Sequence, residues 1–131
     1  MTGRVPHEEV GDLYSIADCV VYPRILTRTT SLTTPLKPLE AMAMGKAVAV
    51  SDLPPMKELV RDGETGLTFA AGDDAALAQT CIRLLEDAAL RERLGRAARE
   101  SVVAERQWQD LIRRYGAVYQ EALGRRSPRG L

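Results

Sequence analysis

One histidine, one tryptophan, one phenylalanine and two cysteines are all that this 131-residue chain holds of those types. Each shortage closes a possibility. His7 sits beside helix-opening acids and cannot build a metal centre alone, so no metal and no bound cofactor are expected. Cys19 and Cys81 are isolated in the sequence and read as small buried residues of a reducing compartment rather than a disulfide. Neither sign of charge prevails: 18 basic and 18 acidic residues give a formal net charge of zero. No long-range field therefore recruits nucleic acid or an anionic membrane. No apolar run approaches the roughly 18 residues of a membrane-spanning helix, and the N-terminus carries no signal-peptide pattern. The expected location is cytoplasmic, with peripheral attachment to a membrane as the alternative.

What the chain does have is an ordinary globular composition, with 45% hydrophobic and 27% charged residues. Its length suits one domain with one modest core. Apolar runs of strand type alternate with helical patterns. Thr2–Val5 reads as a strand fragment, and Pro6 with Glu8 and Glu9 opens a helix whose apolar positions are Val10, Leu13, Tyr14 and Ala17. Cys19–Tyr22 is a buried strand, residues 23–34 a loop, and Ala47–Ser51 a second buried strand. Pro54-Pro55 breaks the chain before a short helix over Met56–Arg61, and Leu67–Phe69 is the last strand after the turns at Gly63 and Gly66. Three helices close the sequence: one capped by Asp73 or Asp74, one over Ala88–Glu105, and one from Trp108 to Leu123. Trp108 is expected to anchor that last helix to the core. The expected fold is α/β: a partial doubly wound, parallel, Rossmann-like sheet of about four strands with C-terminal helices. Residues 1–124 form the folded piece, and 125–131 read as a frayed, disordered basic tail.

The segment Pro35–Lys46 concentrates the chemistry. Pro38 suits the first position of a helix, and Lys37 before it is biased away from helical geometry. Gly45 fits the left-handed residue that ends the helix. Glu40 then lies in a first turn whose unsatisfied N–H groups and positive dipole end attract phosphate or carboxylate. A carboxylate beside such a turn, followed by a buried strand, suits a sugar nucleotide: amides for phosphates, Glu40 for ribose hydroxyls. The alternative is that Glu40 only satisfies the helix dipole. Lys37 could reach a phosphate as a point charge. Arg24 and Arg28, four residues apart in the preceding loop, could hold a diphosphate or an anionic acceptor through paired hydrogen bonds, or stand as solvated loop charges. Lys46 and Glu58 read as surface or helix-end charges.

Leu36–Lys46, Ser51-Asp52 and the run Glu58–Leu67 together resemble the donor-binding half of glycosyltransferase family 4. Gly3-Arg4-Val5, Leu13-Tyr14, Ala17-Asp18, Tyr22-Pro23, Gly72-Asp73 and Trp108 follow the same pattern in the same order, so the resemblance covers about residues 2–124. It implies the C-terminal lobe of a GT-B fold, and transfer of a sugar from a nucleotide diphosphate sugar to an acceptor hydroxyl, without a required metal. In the resembled branch the acceptors are precursors of surface or capsular polysaccharide. The resemblance also implies that the amides of Thr33, Thr34 and Leu36 grip phosphate and sugar. An earlier glutamate of the family, which contacts the transferred sugar, aligns with Ser31 in the branch whose loop contains Pro-Leu-Lys-Pro, and with Leu32 by the commoner spacing. Neither residue is acidic. Ser31 and Thr33 are thus the donor-sugar candidates, Glu40, Thr34, Leu36, Lys37, Arg24 and Arg28 the nucleotide and phosphate candidates, and no catalytic residue is assigned. The family's acceptor-binding N-terminal lobe and the first strands of its C-terminal lobe are expected to be missing from this chain. The partners expected are the nucleotide-sugar donor and either a separate N-terminal lobe or a second copy paired through an open sheet edge. The chain alone is expected to be inactive. Rival readings are a non-catalytic nucleotide-binding or docking module and a degenerate inactive fragment.

Overall fold

The computed structural model describes residues 4–124. Three strands carry the frame: β1 (Cys19–Tyr22), β2 (Ala47–Ser51) and β3 (Leu67–Phe69). They lie in the order β1-β2-β3 and run parallel, with Cys19 opposite Ala47 and Ala49 opposite Leu67. The central strand β2 is buried at every position, as a parallel strand covered on both faces must be, and its sequence is correspondingly apolar up to Ser51.

A 3₁₀ turn (His7–Glu9) leads into α1 (Val10–Ile16), followed after β1 by α2 (Arg28–Leu32) and α3 (Lys37–Ala43). After β2 come α4 (Pro54–Lys57) and, beyond β3, α5 (Asp74–Glu86), α6 (Ala88–Glu105) and α7 (Trp108–Gly124). The alternation of side chains along the strands divides the core in two. Val20 and Tyr22 of β1 face the cluster of Ala41, Met42, Val48, Val50, Met56 and Ala98. Cys19 and Val21 face the opposite cluster of Ala47, Ala49, Phe69, Leu84 and Leu94. Period-two alternation on a sheet wrapped by helices on both sides is the doubly wound arrangement the sequence predicts.

Helix α3 ends where Gly45 takes φ +70°, the left-handed conformation that a glycine tolerates best. Helix α6 crosses there at very short range: a Cβ on Gly95 would stand 2.0 Å from the Gly45 carbonyl oxygen. Arg99 adds a hydrogen bond from Nη1 to the Ala43 carbonyl at 2.8 Å, a cation on the exposed C-terminal carbonyls of α3.

Several expectations need correction. The 23–34 segment is not all loop, because Thr27 and Thr30 form a reciprocal capping box that starts α2. Pro54 and Pro55 open α4 rather than break the chain before a helix, since prolines at the first helical positions lose no hydrogen bond. Helix α3 begins at Lys37, which puts Pro38 second. Cys19 and Cys81 are free and half-buried rather than fully buried. Trp108 is 73% exposed and anchors nothing in the described core. Of the expected strand Thr2–Val5, residues 2–3 lie outside the described residues, and Arg4 and Val5 form no strand. The tail 125–131 likewise lies outside them.

Candidate functional site

Parallel pairing brings the C-terminal ends of β1 and β2 side by side, and the segment leading into α3 leaves from that end. This is where ligands sit in open α/β sheets. The junction is built by side chains that the strands themselves deliver. Ser51, the last residue of β2, is fully buried; its Oγ accepts from the Arg24 amide at 2.7 Å and lies 3.4 Å from the Tyr22 carbonyl, to which it donates. Tyr22, the last residue of β1, reaches forward. Its hydroxyl donates to the carbonyl of Lys37, the first residue of α3, at 2.8 Å and stands 3.4 Å from the Tyr14 hydroxyl. Burial, first of all, then the hydrogen bond and charge of Tyr14 and the charge of Glu40, push the Tyr22 phenol well above its ordinary pKa. The phenol therefore stays protonated, and able to donate to the Lys37 carbonyl, at neutral pH.

A groove of about 620 Å³ runs beside β1, lined by Val5, Val10, Leu13, Tyr14 and Val20, with Lys37 and Glu40 among its walls. Its size and its mixture of apolar walls with a few charged groups are those of a small-molecule site. The two residues that the sequence singles out in the first turn of α3 thus share one cavity, as neighbours three apart on a helix do.

The other candidates are placed differently. Arg24 Nη1 donates to the Thr33 carbonyl at 3.3 Å, so this guanidinium braces its own loop and the Thr33 oxygen is occupied. Arg24 lines a separate crevice of about 70 Å³ with Ile25, Ser51 and Asp73. Arg28 is exposed at the start of α2. The Ser31 hydroxyl donates to the Arg28 carbonyl at 2.9 Å, which leaves its oxygen free only to accept. Thr34 is exposed, and Leu36 is an exposed helix cap with 70% of its surface free. None of Arg28, Ser31, Thr33, Thr34 and Leu36 lines the groove that holds Glu40. Among the described residues no group of His, Cys, Asp and Glu side chains is placed to hold a metal ion.

Sequence reasoning missed Tyr22 and Ser51. Their bonds join residues 15 and 27 apart, and only a hydroxyl at the end of each strand could have pointed to them.

Residues 1–101 match the family described as Glycosyl transferases group 1. A phosphatidyl-myo-inositol mannosyltransferase of Mycobacterium leprae is 47% identical over 64 residues, 49% of this chain and 17% of that protein. The structure is similar to sucrose-phosphate synthase from Thermosynechococcus elongatus, with a TM-score of 0.83, 31% identity and coverage of 94% of this chain and 30% of that one. The C-terminal domain of a glycosyl transferase group 1 family protein from Francisella tularensis shares the fold at a TM-score of 0.71 and 21% identity, covering 82% of this chain and 53% of that one. The chain spans less than a third of the length of the curated relatives it matches.

Proposed function

The chain belongs to the glycosyl transferases group 1 family, and from that premise we propose that it forms the donor-binding, C-terminal lobe of a family 4-like GT-B enzyme. The substrate in this reading is a nucleotide diphosphate sugar, and the reaction moves the sugar to an acceptor hydroxyl, in the assembly of a surface polysaccharide. The observation that carries it is the meeting of Glu40 and Lys37, from the first turn of α3, in one groove along the outer edge of β1. Glu40 accepts hydrogen bonds from the ribose hydroxyls, and Lys37 stands near the diphosphate. The loop amides of Thr34 and Leu36, which do not line that groove, are the further phosphate contacts in this reading. Catalysis then rests on positioning and on stabilising the departing diphosphate.

The partner in this reading is an acceptor-binding N-terminal lobe, with the apolar side of α7 as part of the surface it covers. No described helix is long and apolar enough to cross a membrane; a cytoplasmic location, or attachment at a membrane surface, belongs to the proposal.

The test is calorimetry with UDP and GDP on a polypeptide that joins this chain to an acceptor lobe. Glu40→Ala should weaken nucleotide binding by about 1–3 kcal/mol through loss of a charged acceptor. Unchanged affinity would return Glu40 to a helix-dipole role.

A non-catalytic nucleotide-binding module is the second reading, and the uncharged Ser31 favours it. Serine supplies a single hydrogen bond where a carboxylate would supply charge. Ser31→Glu in the joined enzyme should raise turnover, and Leu32→Glu should do less. A gain at Leu32 alone would move the alignment of the loop by one residue.

A further inference from the structure

The hydroxyl of Tyr22 is fixed from two sides before it meets anything functional. Its ring packs against the core cluster of Met42, Val48 and Met56, and its backbone carbonyl accepts from the buried Ser51 hydroxyl. Its one short hydrogen bond goes to the Lys37 carbonyl, at 2.8 Å. Lys37 is the first residue of α3, and Glu40 follows it by three, nearly one turn, on the same side of the helix. A shift of the Lys37 peptide is therefore a shift of the Glu40 carboxylate. The seven-residue α3 carries no side-chain hydrogen bond at its cap, so a short helix that could fray is tied to the rigid end of β1 by a phenol instead.

We propose that Tyr22 is a positioning residue of the donor site: without touching the ligand, its hydroxyl holds the first turn of α3 where Glu40 enters the groove. The inference rests on the donor-site reading of Glu40, and it adds a residue outside that reading's contact set. Tyr14, whose hydroxyl lies at a longer 3.4 Å, supports the ring without setting the helix.

Tyr22→Phe keeps the ring in the core and removes only this bond. Two readouts separate its role from general packing. The first needs no ligand: exchange of the Glu40 amide, which donates to the Leu36 carbonyl at 3.2 Å, should quicken in Tyr22→Phe while the β2 amides keep their protection. The second is UDP affinity of the chain joined to its acceptor lobe. Tyr22→Phe should weaken it about three- to tenfold, the loss of one neutral hydrogen bond. Val102→Ala, which trims the same core cluster from α6 without lining the groove, should leave it within about twofold. In a double-mutant cycle with Glu40→Gln, the Tyr22 loss should largely vanish, because the helix then positions a group that no longer serves. Unaltered Glu40 exchange, equal losses from Val102→Ala and Tyr22→Phe, or additive losses in the cycle would each overturn the proposal. If Glu40→Gln leaves UDP affinity intact, the donor-site reading falls and takes the affinity role of Tyr22 with it, whatever the amide exchange shows.

Discussion

Gly95 shows how much of this fold depends on a single missing side chain. A Cβ there would meet the Gly45 carbonyl oxygen at 2.0 Å and its carbon at 2.9 Å, and both are backbone atoms that cannot swing aside. Gly45 is itself held at φ +70° as α3 ends, so the obstacle is pinned. Gly95→Ala must push α6 off the end of α3, and α6 contributes Leu94 and Ala98 to the two core clusters. A loss of about 1–3 kcal/mol or more is expected, because overpacking here meets backbone rather than a flexible side chain. Urea denaturation checks it: a midpoint close to that of the parent would mean that α6 can slide without cost. Gly66 makes a milder version of the same argument, with Val48 and Val60 at 2.7–2.8 Å. At this scale the sequence is only partly legible. Gly45 is readable as a helix stop, because its conformation is local; the need for glycine at 95 arises from a helix fifty residues away, and no local pattern announces it.

Among the elements, legibility follows the reach of the forces that make them. The strands and the helices α5 and α6 were readable because alternation and Asp caps act within a few residues: Asp73 accepts from the Ala76 amide and Asp87 from the Leu90 amide, each at a helix start. Helix α2 was readable in principle from Thr27 and Thr30, but a Thr–Thr box is a weaker signature than one closed by Glu. The placement of Glu40 and Lys37 in the first turn of α3 is legible from the proline and glycine that frame that helix. That of Arg24 is not, because its tie to Thr33 depends on how the loop folds back. Helix α7 departs furthest from expectation. Trp108, Ile112, Tyr115, Tyr119 and Leu123 recur at helical spacing yet are 58–73% exposed, an apolar stripe turned away from the described core. Trp108 is the chain's single tryptophan, so its fluorescence reports α7 alone. In the 131-residue chain by itself, emission should be that of a water-exposed indole, readily quenched by acrylamide. On joining the acceptor lobe it should shift to the blue and resist quenching. Blue, protected emission from dilute monomeric chain would show that α7 folds back onto its own core.

For the molecule as a whole, two surfaces call for cover. Strand β1 pairs only with β2 among the described strands, so the N–H and C=O groups on its other side face the 620 Å³ groove lined by Val5, Val10, Leu13 and Val20. An unpaired parallel edge beside apolar walls is a template for another strand. The second surface is the stripe on α7. A formal net charge of zero supplies no repulsion to keep copies apart. Whole domains hold only about 5–15 kcal/mol of net stability, so two open surfaces of this kind make association of the lone chain favourable on concentration. Expressed by itself, the 131-residue chain should therefore elute as dimers or larger species by light scattering, and show no sugar transfer. The two surfaces can be told apart. If β1 is the seam, amides of Cys19–Tyr22 that are not bonded to β2 should become protected from exchange as concentration rises, and Ile112→Ser with Tyr119→Ser should leave the association intact. If α7 is the seam, that double substitution should release the monomer while the β1 amides exchange freely throughout. A monomer at high concentration with a sharp cooperative melt would contradict both, and sugar transfer by the lone chain would remove the need for an acceptor lobe altogether.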